Sequence, residues 1–184
     1  MRHPSVAHRE DSLLLLIDIQ EAMLKAVDRW EEPVRRTHQL VDAAKILGIP
    51  VLATEQYRKG LGPTTPQLAT KLDPSLVFRK EHFSACLEKG FLEMIRKFER
   101  SKIVLAGMET HVCVLQTGMD LLANGFQAHV VKDAVASRSR EDRDTAIELF
   151  RDSGAVITST EIVIFQWARR SNTEEFRKIL PVVK

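Results

Sequence analysis

The sequence predicts an α/β protein, a three-layer α/β/α sandwich around a mostly parallel sheet of about six strands. Short apolar runs alternate along the chain with longer segments of helical periodicity. Strands joined through helices pair in parallel, because right-handed crossovers return the chain to the same edge of the sheet. The first run, Leu13–Ile17, has no polar face, as is typical of a central strand covered on both sides.

Five further apolar runs supply the remaining strands, and most of them are rich in Val, Ile and Leu. They are Ile49–Ala53, Leu76–Phe78, Ile103–Ala106, Gln127–Val131 and Ala155–Ile157. Gly107 directly after the fourth strand marks its end. A chain of 184 residues suits one hydrophobic core, so we expect a single domain over residues 1–184.

The segments between the strands carry helical spacing of apolar residues. In the first of them, Val34, Leu40, Val41, Ala44 and Leu47 fall on one face, and Gly48 ends the helix. The predicted helices are Pro33–Leu47, Leu87–Phe98, Val112–Leu122, Arg140–Asp152, Thr160–Ala168 and Thr173–Leu180. Gly and Pro residues predict a loop at 60–63.

Composition narrows the classes of function. Lys and Arg total 27 against 25 Asp and Glu, with no basic block, so we expect no nucleic-acid partner. The longest apolar run, Leu13–Ile17, is far too short to cross a membrane. Residues 1–11 are polar and unlike a signal peptide, and two cysteines do not suggest a disulfide-stapled secreted domain. A cytoplasmic protein without a membrane partner is the expectation.

Chemistry-bearing residues follow several of the predicted strands. Asp18 comes directly after the first predicted strand, and Lys80 comes two residues after the third. Cys113 lies seven residues after the end of the fourth. Ligands bind outside the carboxyl ends of parallel strands, and these ends converge although they are distant in sequence. An acid, an ammonium and a thiol are therefore candidates for a shared site.

Each of these residues also has a simpler interpretation. A free cysteine such as Cys113 is often buried and inert, although the first turn of a helix would lower its pKa toward the thiolate. Asp18 could cap a helix or hold a metal ion. Lys80 taken alone could be a solvated surface charge. The three signals together make a stronger case than any one of them.

Three segments resemble the isochorismatase-like hydrolases in their order and spacing. They read LLLLIDIQ from Leu13, VFRKEHFSA from Val77 and VLAGMETHVCV from Val104, and the likeness extends from Leu13 to Val163. The resemblance implies a catalytic triad of Asp18, Lys80 and Cys113, and a homo-oligomer of two or more chains.

The same resemblance implies a non-proline cis peptide between Met108 and Glu109. The backbone N–H groups of Glu109 and Cys113 would then form an oxyanion hole. Nicotinamidases of this family hold a metal with an Asp-x-His pair and a further histidine, whereas this chain has Thr54–Arg58 in that region. The six histidines show no HxH or HExxH spacing, so we expect no catalytic metal and no cofactor.

The resulting hypothesis is a cysteine-dependent hydrolase that cleaves an amide-like or ester-like bond of a small molecule through a thioester. Gln56, Tyr57 and Phe83 are expected to line the substrate site, and the two aromatic residues could instead form a subunit contact. Gln20 is expected either to point into the site or to cap the following helix.

Two other classes of protein remain as alternatives. The first is a catalytically silent scaffold of the same fold, with an unreactive Cys113. The second is a nucleotide- or flavin-binding doubly wound protein, which would require a Gly-rich loop where residues 18–21 read DIQE.

Overall fold

The computed structural model describes residues 3–27 and 29–184, so Met1 and Arg2 of the polar N-terminal segment lie outside it. The described residues form a six-stranded sheet in the order β3-β2-β1-β4-β5-β6, and every neighbouring pair is parallel. The strands are β1 (Ser12–Ile17), β2 (Val51–Gln56), β3 (Val77–Lys80), β4 (Lys102–Met108), β5 (Gln127–Ala136) and β6 (Val156–Thr158). The predicted fold class is confirmed.

Helices cover both faces of the sheet. They are α1 (Glu21–Leu24), α2 (Glu31–Leu47), α3 (Arg58–Leu61), α4 (Pro66–Ala69), α5 (Phe91–Arg96), α6 (Leu115–Ala123), α7 (Arg140–Asp152), α8 (Thr160–Ala168) and α9 (Glu174–Val183). Successive side chains of the central strand alternate between the faces: Leu14 and Leu16 pack toward α2, α8 and α9, whereas Leu13, Leu15 and Ile17 pack toward α5, α6 and α7. This double burial explains why residues 13–17 of β1 include no polar side chain.

Strand β5 is longer than predicted, since it continues to Ala136 rather than ending at Val131. Its register with β4 shifts between Leu105 and Gly107, so the ladder resumes beyond the polar residues that suggested an end. Gly107 is required here because its φ is +136° and a Cβ would lie 2.1 Å from the Ile17 carbonyl oxygen. The extension brings the residues after Ala136 to the edge of the sheet where β4 ends.

Two predicted helices and one predicted loop differ from the structure. The helix predicted at Leu87–Phe98 is wrong in its first part, because Gly90 with φ of +90° separates a 3₁₀ turn at Ala85–Leu87 from α5. The helix predicted at Val112–Leu122 begins instead with a π-helical turn, Thr110–Val114, which leads into α6. Helix α3 takes up part of the predicted loop at 60–63.

Within residues 3–27 and 29–184, we find no helix with the length and apolar character needed to cross a membrane.

Candidate active site

The candidate site lies at the carboxyl ends of β1, β2 and β3 and at the turn after β4. Ile17 at the end of β1 is in register with Thr54 on one side and Gly107 on the other. Gln56 at the end of β2 is in register with Lys80 at the end of β3. The topology therefore delivers residues from four distant segments of the chain to one edge of the sheet.

Asp18 leaves β1 in the left-handed backbone region, with φ of 53°, and its side chain is fully buried. Its backbone N–H donates to the Thr54 carbonyl at 3.2 Å. The Thr54 hydroxyl donates to Asp18 Oδ1 at 2.7 Å. The carboxylate is therefore fixed at one oxygen by β2, and its second oxygen, Oδ2, faces Lys80.

Lys80 holds a buried ammonium group at the end of β3. Its Nζ lies 2.8 Å from Asp18 Oδ2, and neither side chain is exposed to solvent. The ammonium also donates to Gln56 Oε1 at 2.5 Å and to the carbonyl oxygens of Phe83 at 3.1 Å and His82 at 3.3 Å. A buried charge is tolerated only with partners of this kind, so the alternative of a solvated surface lysine is wrong.

Cys113 occupies the π-helical turn between β4 and α6 and is only 2% exposed. The Asp18 carboxylate and the Lys80 ammonium both act on the pKa of its thiol, in opposite directions. Its sulfur also lies 3.9 Å from Gln56 Oε1. The structure thus brings Asp18, Lys80 and Cys113 together in one buried cluster, as the strand-end argument predicted.

The electrostatic surroundings of Cys113 differ from the expectation for a thiol at a helix start. Burial is the main cause that raises the Cys113 pKa to about 12, and the adjacent Asp18 carboxylate raises it further. The Lys80 ammonium lowers this pKa but does not compensate, because its charge is already paired with Asp18. The predicted shift toward the thiolate is therefore wrong, and the resting side chain is a neutral thiol.

Gln56 connects the members of the cluster. It is 7% exposed, and its Oε1 accepts from Lys80 while lying next to the Cys113 sulfur. Its Nε2 donates to the Glu81 carbonyl at 2.7 Å, which fixes the orientation of the amide. Gln56 was predicted to contact substrate, and in the structure both ends of its amide are engaged by the protein.

Gln20 was predicted to face the site or to cap α1; it occupies the N-cap position of α1, but its side chain binds the end of β2 and the loop after it. Its Oε1 accepts from Gln56 N at 2.8 Å, and its Nε2 donates to the carbonyl oxygens of Gln56 at 3.0 Å and Gly62 at 2.6 Å. It makes no side-chain capping hydrogen bond to α1. Gln20 instead ties the end of β2 to the following loop.

Tyr57 and Phe83 are the exposed aromatic residues beside this cluster. Tyr57 follows Gln56 directly and is 52% exposed, and Phe83, whose carbonyl binds Lys80, is 55% exposed. Both positions suit contact with a substrate or with another chain.

The peptide bond between Met108 and Glu109 is cis, at the bond that the family resemblance implied. Met108 is fully buried and Glu109 is 8% exposed. Glu109 does not cap the π-helical turn, and its Oε1 instead accepts from Arg138 Nε at 2.5 Å. Nearby, His111 Nδ1 lies 2.9 Å from the Ser137 hydroxyl. The residues just after β5 thus bind side chains of the turn that leads to Cys113.

The sequence analysis did not name two residues of this region as candidates. The first is Thr54, which orients Asp18. It could have been identified from the pairing of β1 with β2, which places Thr54 beside the end of β1. Arg138 anchors Glu109, and it would have been selected had β5 been extended to Ala136.

No group of three or more His, Cys, Asp or Glu side chains suited to a metal ion occurs in the described part of the chain. The predicted absence of a catalytic metal stays a prediction.

The isochorismatase domain model matches residues 12–162 of this chain. These residues include all six strands and the whole Asp18, Lys80 and Cys113 cluster. The chain belongs to the isochorismatase family. The resemblance predicted from the three sequence segments is confirmed.

Individual isochorismatase-family proteins match nearly the full chain. The secreted isochorismatase effector Isc1 of Phytophthora sojae is 38% identical over 177 residues, which cover 94% of this chain and 84% of that protein. A structure of MAR1 ribonuclease from Caenorhabditis elegans has a TM-score of 0.89 at 36% identity and covers 96% of this chain and 91% of that one. YcaC from Escherichia coli, described as an octameric hydrolase of unknown specificity, has a TM-score of 0.90 at 21% identity over 98% and 94% of the two chains. The last likeness shows the fold alone.

Proposed function

We propose that this isochorismatase-family protein is a cysteine-dependent hydrolase that cleaves an amide-like or ester-like bond of a small molecule. One observation carries the proposal: a carboxylate, the ammonium paired with it and a thiol come from three separate segments of the chain and are buried together at one edge of the sheet. Burying two charges beside a thiol costs stability, which a purely structural core would avoid. The arrangement matches the nucleophile-and-base pairing of covalent catalysis.

Cys113 acts as the nucleophile, and its proton moves during the attack. Because the thiol is neutral at rest, with a pKa raised to about 12, a base must take the proton as the sulfur–carbon bond forms. Asp18 Oδ2 is that base, since Oδ1 is held by Thr54 while Oδ2 accepts no well-directed hydrogen bond among the described residues. Lys80 keeps the carboxylate in place and offsets its charge.

The tetrahedral intermediate places an oxyanion against backbone N–H groups of Glu109 and Cys113. Removing one oxyanion-hole donor typically costs about 2.7–4 kcal/mol of transition-state stabilisation. Collapse of the intermediate breaks the bond to the leaving group, which takes the proton from Asp18. Water then attacks the thioester with Asp18 as base and releases the acid product and the free thiol.

The chemistry of the site favours acyl transfer over cleavage of an RNA backbone. The neighbour named a ribonuclease shares 36% identity with this chain, so its activity is a reasonable comparison. Cleavage of RNA by general acid–base catalysis needs an acid and a base that both reach an exposed phosphate. Here the acid–base group is a carboxylate buried against a thiol, with 2% of Cys113 exposed, and such a site suits a small acyl compound.

Oligomerisation and location are part of the same proposal. We propose a homo-oligomer in which the exposed rings of Tyr57 and Phe83 contact another chain or the substrate; the octameric state described for YcaC makes an oligomer plausible. A cytoplasmic location stays a prediction, because a relative of this chain is by its name a secreted effector.

The proposal is tested by covalent trapping and turnover. Acrylamide should modify the peptide that contains Cys113, and the Asp18→Asn variant should slow this reaction strongly at neutral pH while labelling of Cys86 stays the same. A screen of small amides, carbamoyl compounds and esters should yield a substrate that wild-type protein hydrolyses and Cys113→Ala does not. Full turnover by Cys113→Ala, or equal labelling of Cys113 in wild type and Asp18→Asn, would contradict the covalent mechanism and favour a silent scaffold.

A further inference from the structure

A second cavity lies at the end of β5, separate from the Cys113 cluster. It has a volume of about 570 Å³ and is bounded by the residues before and at the start of α2 and by the chain from Lys132 to Arg143. Asp18, Lys80 and Cys113 do not line it. The cavity opens at the carboxyl edge of a parallel sheet, where ligands of such folds bind.

Five cationic side chains line this cavity, and only two acidic side chains accompany them. The cations are Arg29, Lys132, Arg138, Arg140 and Arg143, and the acids are Glu32 and Asp133. Such a concentration of one sign of charge in a concave surface attracts ions of the other sign.

The two acidic residues are already matched by groups outside the cationic set. Glu32 accepts hydrogen bonds from Arg35 at 2.6 Å and from Arg36 at 2.8 Å. Asp133 Oδ1 accepts from the backbone N–H of Thr160 at 2.8 Å and from its hydroxyl at 3.1 Å. The hydrogen bonds from Thr160 leave the charge of Asp133 in place, so the two acids offset two of the five positive charges and the lining keeps an excess of cations.

The cations divide into fixed and available groups. Arg143 donates hydrogen bonds to the carbonyl oxygens of Lys132 and Val135 and to the Asp144 carboxylate. Its guanidinium group is therefore held in one position at the side of the cavity. Arg140 is 92% exposed and lies 3.6 Å from an oxygen of Asp144. The Lys132 ammonium makes no hydrogen bond or ion pair with the residues at 3–27 and 29–184. Lys132 and Arg140 can therefore turn toward a ligand without breaking a strong contact.

We propose that this cavity binds a small polyanion that carries phosphate or carboxylate groups. Guanidinium groups match the geometry of both kinds of oxyanion, and an ammonium adds a point charge. The volume exceeds that of one phosphate group, which suits a ligand with two or more anionic groups. The site does not depend on the proposed hydrolase activity.

Isothermal titration of the full chain with sodium pyrophosphate and with citrate tests the site. We expect wild-type protein to bind at least one of them, with an affinity that falls as salt is raised. The double variant Lys132→Ala, Arg140→Ala should bind at least tenfold more weakly. The matched control Lys89→Ala, Arg170→Ala removes the same charge from exposed positions elsewhere and should bind as wild type does.

The comparison of the two anions identifies the chemical class, because pyrophosphate alone, citrate alone or both can bind. Two outcomes would overturn the proposal. One is the absence of binding of either anion to wild-type protein. The other is an equal change in the cavity variant and the control variant, which would mean that only net charge attracts the anion. Circular dichroism of both variants shows whether they are folded, and the two exposed positions make unfolding unexpected.

Discussion

Thr54 Oγ1 donates a 2.7 Å hydrogen bond to Asp18 Oδ1, and this contact decides which carboxylate oxygen faces the thiol and the ammonium. Both residues are buried, so no water replaces the bond if it is lost. Thr54 belongs to β2 and Asp18 follows β1, and the parallel register of the two strands places them side by side. The position of the proposed base is therefore built into the sheet.

Thr54→Val should lower turnover and acrylamide labelling of Cys113 by about 100-fold, because a misplaced base costs this much in comparable sites. Thr54→Ser keeps the hydroxyl and should restore most of the rate. The lost hydrogen bond to a charged group should also lower the free energy of unfolding by about 1.5–3 kcal/mol. If valine and serine variants labelled at the same rate, Thr54 would have a structural role only.

Lys80→Met should destabilise the protein strongly, because it leaves the Asp18 carboxylate buried without its counter-ion. Breaking such a buried pair costs about 3–5 kcal/mol in the free energy of unfolding. The double variant Asp18→Asn, Lys80→Met removes both charges and should recover part of that loss. Urea denaturation of the two single variants and the double variant gives the coupling energy, and simple additivity would contradict a close pair.

The pH dependence of alkylation distinguishes proton transfer to Asp18 from simple ionisation of the thiol. Burial is the main cause that raises the pKa of both Cys86 and Cys113 to about 12. A thiol that reacts only as a preformed thiolate speeds up about tenfold per pH unit below its pKa. Between pH 6 and 9, we expect the alkylation rate of Cys86 to rise about tenfold per pH unit. The alkylation rate of Cys113 should stay constant over the same range.

Asp18→Asn supplies the control for that experiment, because it should give Cys113 the same steep rise as Cys86. Peptide mapping after brief exposure to acrylamide at each pH measures both sites in one sample. Parallel profiles for the two cysteines in wild-type protein would rule out Asp18 as the base.

The order of the strands was sufficient to make Asp18, Lys80 and Cys113 candidates for one site, and the family resemblance then selected them as a triad. A parallel sheet carries the residues after its central strands to one edge, whatever their separation along the chain. The exact bounds of β3 and of the helix after β4 were therefore unimportant. Lys80 is the last residue of β3 rather than two residues beyond it, and its role in the cluster is unchanged.

Other features of the site depend on details that periodicity cannot supply. Arg138 was missed because Lys132 and Asp133 interrupt the apolar pattern of β5, and only the register shift at Gly107 explains why the strand continues. The rise in the Cys113 pKa was missed because the depth of burial is a property of packing. The partners of Gln20 could not be predicted, because its side chain binds the backbone of Gln56 and the Gly62 carbonyl, which only the folded loop after β2 brings near it.

A buried histidine in β5 makes stability depend on pH at a distance from the candidate site. His129 is fully buried, and neither ring nitrogen has a hydrogen-bond partner in the described part of the chain. Burial is the main cause that lowers its pKa from 6.5 to about 4, and the Lys102 ammonium lowers it further while Asp11 opposes the shift. The unfolded chain therefore binds a proton near pH 6.5 that the folded protein accepts only near pH 4.

The free energy of unfolding should therefore fall as the pH is lowered from 6.5 to 4, the interval between the unfolded and folded pKa values. The contribution of His129 is fully present above this interval, and its loss across the interval amounts to about 3 kcal/mol. His129→Leu should remove this part of the slope, whereas Gln127→Leu, at an exposed position of the same strand, should keep it. Urea denaturation at several pH values measures the slopes, and an unchanged acid slope in His129→Leu would mean that other groups dominate acid unfolding.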